Sequence, residues 1–194
     1  MPSRPHPRPL FPSSRWRAAG ILGQHNHACH PIRTTLMPTL LETAATYLQN
    51  EDWNFDSDLE SSQLIGSVNG DAATFHWFVH AIEEDELNAV RIYSNLPVKV
   101  PELRRQAIAE LITRINEKLG SGNFEMDYTS GQVYYKTTLD LMDGTLTQAM
   151  FMRIFMLNLS TTDQYLQAIM GVAFGGVEPA TALEMLGAEG EKMQ

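Results

Sequence analysis

The sequence predicts an α+β fold: an antiparallel β-sheet with helices on one face, in the order α-β-β-β-α-β-β-α plus a C-terminal helix. Three observations carry this. Several windows repeat apolar residues at helical spacing, and others alternate apolar and polar residues. The alternating windows follow one another through short turns, which suits hairpins rather than βαβ crossovers. The chain of 194 residues is long enough for one domain with its own core.

Each element has a local reason. Leu40, Leu41, Ala44, Ala45 and Leu48 mark a first helix from Pro38 to about Asn50, with Thr39 and Glu42 as a capping box. A polar loop runs to Ser62. Leu64–Val68 reads as a strand, and Asn69-Gly70 as a two-residue hairpin turn. In Ala73–Ile82, Phe75, Trp77 and Val79 face one side, and His76, Phe78, His80 and Ile82 the other. After the charged turn Glu83-Glu84-Asp85-Glu86, Leu87–Tyr93 is a third strand. Pro97 and Pro101 interrupt the chain. A helix follows over Glu102–Leu119, with Leu103, Ala107, Ile108, Leu111, Ile112 and Ile115 as a wide apolar stripe. Phe124–Tyr128 and Val133–Leu139 form a second hairpin around Ser130-Gly131. Thr145 and Gln148 open a helix to Leu159, Thr161 and Gln164 open another to Phe174, and Pro179–Leu186 is a terminal helix.

Charge divides the chain. Residues 1–36 hold five arginines, six prolines and four of the six histidines, with no Asp, Glu or Lys. From Met37 onward nine basic residues face 23 acidic ones, a formal charge of −14. The first stretch has no apolar periodicity and is expected to be a disordered leader. A transit peptide and a functional tail compete with a misassigned start, and the abrupt change at Met37 favours the last. Residues 37–194 are then one domain, expected to fold without the leader. The acidic body argues against nucleic acid. No apolar run is long enough to span a membrane, and one cysteine excludes an internal disulfide, so the expected setting is cytoplasmic.

Motifs of chemistry are scarce. His25, His27, Cys29 and His30 are ligand types at a spacing that fits no zinc template. His76 and His80 share a strand face about 13 Å apart, too far for one metal. The Glu83–Glu86 run reads as a solvated turn. The sequence contains no hydrolase elbow, P-loop, zincin or dinucleotide fingerprint. No catalytic, cofactor-binding or metal residue is assigned, and no cofactor is expected. Met142, Met150, Met152, Met156 and Met170 crowd the last third as core filler or as an adaptable partner surface.

One run adds a resemblance. Arg114-Ile115-Asn116, then a glycine, Phe124 and Asp127, and Gly131, Val133 and Tyr135 resemble the YbjN-domain family, as do Trp53 and Phe55 and the C-terminal helices. The likeness covers about residues 38–187. It implies bacterial sensory transduction regulators with a fold similar to type III secretion chaperones, which are small, acidic and usually dimeric. It supplies no catalytic residues.

The function expected is a non-enzymatic protein-binding module, chaperone-like or regulatory. The alternative is a small enzyme or ligand-binding protein with an unrecognised pocket. Phe78 and Ile82 are the candidate partner-binding residues. Ile108 and Ile112, on the surplus width of the 102–119 stripe, are the candidate contacts of a homodimer. Asn116 is expected to hold neighbouring backbone rather than do chemistry.

Overall fold

The structure is a computed structural model that describes residues 17–18, 38–84 and 87–192. The leader reading and the His25–His30 cluster lie outside these residues, apart from Arg17–Ala18. That pair is a short strand, β1, opposite Asn69 and Val68. The other elements are α1 (Leu40–Asn50), β2 (Asp56–Asp58), β3 (Gln63–Asn69), β4 (Thr74–Glu84), β5 (Leu87–Lys99), α2 (Arg105–Asn116), β6 (Asn123–Met126), β7 (Gln132–Asp140), α3 (Gln148–Phe174) and α4 (Pro179–Lys192). The strands form one antiparallel sheet in the order β1-β3-β4-β5-β7-β6. β2 lies end to end with β1 on the outer edge of β3.

The expected α+β architecture is present, with corrections at several joints. The capping box of α1 forms: the Thr39 hydroxyl accepts the Glu42 N–H at 3.2 Å, and the Glu42 carboxylate accepts the Thr39 N–H at 2.9 Å. Glu83, expected as solvated charge, accepts the Leu40 N–H at 3.1 Å and so also caps α1. The expected loop before Ser62 contains β2, whose exposed side chains leave no alternating pattern to read.

The Asn69-Gly70 turn is not a two-residue turn. Asn69 still pairs with Thr74, and the Gly70 N–H closes the loop on Ala73 O at 3.0 Å. Neither residue takes a positive φ. Gly70 is needed for space instead: a Cβ there would stand 2.2 Å from Asp163 Oδ1, which accepts the Asp71 N–H at 2.9 Å. β5 runs through Pro97 because the ladder shifts register between Asn95 and Lys99, where a missing N–H does no harm.

A 3₁₀ turn over Glu102–Arg104 replaces the start of the expected 102–119 helix, and Leu103 is 96% exposed on it. The break expected near Thr161 is absent. α3 is one helix of 27 residues, capped by Thr147 rather than Thr145. The Thr162 hydroxyl bonds back to Asn158 O at 2.8 Å, so this threonine is satisfied inside the helix.

The helices pack on one sheet face, where Leu64, Val68, Phe75, Trp77, Val79, Ile92, Val133 and Tyr135 are buried. Trp77 meets Phe155 edge-on at 5.0 Å, and Trp53 meets both rings. The indole lies over Gly66, where a Cβ would come within 2.1 Å of it. Asn158 ties α3 to two neighbouring strands, β5 and β7. Its amide reaches Ile92 O, Tyr135 O and Thr137 Oγ1, and its oxygen accepts the Ser94 hydroxyl at 2.6 Å. Arg104 closes the far end of α3 by donating to Val172 O and Val177 O.

Candidate functional site

The opposite sheet face carries no described helix. Strand register sets out its side chains in rows. Ile65, Phe78, Tyr93 and Lys136 form one; Ser67, His76, Asn95, Tyr134 and Glu125 the next. On the other side of the first lie Gln63, His80, Arg91 and Thr138, then Ile82, Ala89 and Asp140. The centre is therefore aromatic and aliphatic, with cationic or titratable side chains on both flanks.

At the β6 side, Glu125 accepts hydrogen bonds from Asn123, from the Tyr134 hydroxyl at 2.8 Å and from Lys136. Partial burial pushes the Glu125 carboxyl up, and these bonds outweigh it and hold the group below its usual range. The hydrogen bond to Glu125, helped by burial, pushes the Tyr134 phenol up to about 12. The Tyr93 and Tyr134 rings stand 5.7 Å apart, edge to face. Arg91 Nε is shut away from solvent with no hydrogen-bond partner among the described residues.

The residues singled out from sequence separate. Phe78 is half-buried on this face, and Ile82 is 7% exposed beside it. Ile108 and Ile112, expected at a dimer contact, are 0% and 9% exposed. They belong to the hydrophobic core of the single chain, packed between α2 and its neighbours. Ile65, Tyr93, Arg91 and Tyr134 join Phe78 only through register, which periodicity within a single strand does not reveal.

The motif residues turn out to hold the fold. Asn116 accepts the Phe124 N–H at 2.8 Å and donates to Phe124 O at 2.9 Å, the backbone role expected of it. Asp127 accepts from Ser130 Oγ and from the Thr129 and Ser130 N–H groups, which hold its carboxyl below the usual range. Gly131 takes φ +76°, and a Cβ there would meet Val100 O at 2.3 Å. Tyr135 is buried and donates its hydroxyl to Ser121 O.

Between α3 and α4 lies a cleft of about 110 Å³, lined by Ala168, Gly171, Val177, Met185 and Leu186 among others. Among the described residues, no group of three His, Cys, Asp or Glu side chains is placed to hold a metal ion. No helix of these residues is long and apolar enough to cross a membrane.

A family model for YbjN, described as "Putative bacterial sensory transduction regulator", matches residues 41–170. The crystal structure of YbjN from E. coli, described as "a putative transcription regulator", superposes with a TM-score of 0.51 at 14% sequence identity. The match covers 66% of this chain and 89% of that one, and shows a shared fold. No curated protein matches the chain.

Proposed function

The chain belongs to the YbjN family, and from that premise we propose that it is a non-enzymatic regulatory module that binds a protein or peptide segment across its helix-free sheet face. The observation that carries the reading is the Ile65–Phe78–Tyr93 row, flanked by His80 and Arg91, on a face that no described helix covers. Apolar sheet faces rimmed by polar groups mark interaction surfaces. A regulator description fits a surface of this kind better than a reaction centre. Chaperone-like holding of an extended partner segment and regulation by that partner are two uses of the same surface. The α3–α4 cleft is well below the roughly 300–1,000 Å³ of small-molecule sites.

The test compares the full chain with Phe78→Asp as baits for affinity capture from the native cell, read by mass spectrometry. Proteins retained by the unmodified chain are expected to be lost from the variant at unchanged melting temperature. Identical captured sets would overturn the reading.

A further inference from the structure

We propose that the helix-free face selects an extended segment with one carboxylate two residues from a large apolar side chain, and that Arg91 receives the carboxylate. This names the partner chemistry of the face described above and rests on that reading.

Cross-strand register places Gln63, His80, Arg91 and Thr138 side by side on four adjacent strands. Each of these side chains can donate a hydrogen bond, and none is a carboxylate. Arg91 stands directly opposite His80, a pairing that gains nothing for the sheet itself. Arg91 is half-buried, and its Nε lies out of reach of solvent with no acceptor among the described residues. A charged donor left in this state costs stability, and an incoming acceptor would relieve it. The neighbouring carboxylates are engaged elsewhere. Asp140, one row along on β7, accepts the Met142 N–H at 2.9 Å. Asp58, at the far end of the row on β2, accepts from Ser61. Glu125 accepts from Asn123, Tyr134 and Lys136.

Row spacing sets what else the segment carries. On one side of the Arg91 row, Ile82 and Ala89 are 7% and 0% exposed, so that side is closed. On the other side, Ile65, Phe78 and Tyr93 are half-buried and offer aliphatic and aromatic surface. Rows on one sheet face lie two residues apart, about 6.6 Å at a rise of about 3.3 Å per residue. Alternate side chains of an extended segment share that repeat. A carboxylate over Arg91 therefore puts the side chain two positions away over Phe78 and Tyr93. The guanidinium suits a carboxylate because its N–H donors pair with both oxygens. The body of the domain is acidic overall and repels acidic runs, so the preferred segment carries one acid among neutral residues.

The test uses the full chain and fluorescent peptides built around Leu-Thr-Xaa-Thr-Leu, a core that reads alike in either chain direction. Xaa is Asp, Glu, Asn, Gln or Lys, and binding is read by anisotropy. The Asp and Glu peptides are expected to bind about tenfold more tightly than the Asn and Gln peptides. Arg91→Gln is expected to abolish that preference, Arg91→Glu to turn it toward Lys, and Phe78→Asp to weaken every peptide alike. In His80→Glu the acid preference is expected to shrink, and this variant decides the matter if the Arg91 variants melt early. Equal affinity for the Asp and Asn peptides, or an acid preference that survives Arg91→Gln, would overturn the inference. Loss of all peptides from Phe78→Asp in that same experiment would leave the face reading standing. Binding of no peptide, or equal binding to Phe78→Asp, would overturn both. Tighter binding of an oligothymidylate than of any peptide, lost in Arg91→Gln, would assign the face to single-stranded nucleic acid and overturn the inference too.

Discussion

The two faces of one sheet use the same strands for different ends. On the helix side the packing is tight: Trp77 lies between Gly66, Trp53 and Phe155, and Asn158 bonds to both β5 and β7. On the other side, one residue along, Phe78 is half-buried in a row whose neighbours are His76, His80 and Arg91. The difference teaches what each face is for. The residues that carry the resemblance to the family, Asn116, Phe124, Asp127, Gly131 and Tyr135, serve the first face and its turns, so the resemblance says little of the partner.

The largest test of this contrast is the pair Trp77→Ala and Phe78→Ala. Removing the indole is expected to cost about 3–5 kcal/mol, and removing the neighbouring ring about 1 kcal/mol, by urea unfolding of each variant. Equal losses would mean that the helix-free face is structural core as well.

Asn116→Leu comes next, with an expected loss of about 1–3 kcal/mol, because the Phe124 N–H and C=O both lose their side-chain partner. An unchanged midpoint would show that water replaces the amide.

The smallest effect belongs to the helix-free face. Tyr134, raised to about 12 by Glu125, is neutral in the folded protein beyond the pH at which an ordinary tyrosine ionises. Its contribution is fully present below pH 10, the unfolded value, and is lost as pH rises through about 12. Burial pushes the Tyr135 and Tyr165 phenols up as well, so an ultraviolet titration should show several late phenols, and Glu125→Gln should move one of them, Tyr134, back toward the ordinary value. A titration identical in the variant would detach Tyr134 from Glu125.

How much of this was legible in the sequence depended on range. The capping box at Thr39 and Glu42, the alternation through Phe75–Ile82 and the turn at Gly131 are local and could be read directly. Asn116 was legible because a polar residue late in an apolar helix, shortly before a hairpin, has few other uses. What failed was non-local. Gly70 looked like a turn residue but makes room for Asp163, 93 positions away. Thr161 looked like a cap, yet α3 continues through it because its apolar face has sheet beneath it on both sides of that point. Ile108 and Ile112 looked surplus because the elements that cover α2 come later in the chain. The candidate face was half legible: Phe78 and Ile82 could be named from one strand, and their row partners needed the pairing.

The length and lateness of α3 have a consequence during synthesis. β4 is complete at Glu84, but the helix that covers Trp77 ends at Phe174. At roughly 5–20 residues per second, the ribosome leaves that apolar face waiting for about 5–18 s after β4 is made. In that interval the first hairpin is a sticky nascent chain, open to strand addition and to holdase chaperones. Slow translation of the 84–174 stretch would lengthen the exposure, and a stop codon within α3 would make it permanent. Truncated products of this protein are therefore expected to aggregate or be degraded rather than persist as smaller folded domains.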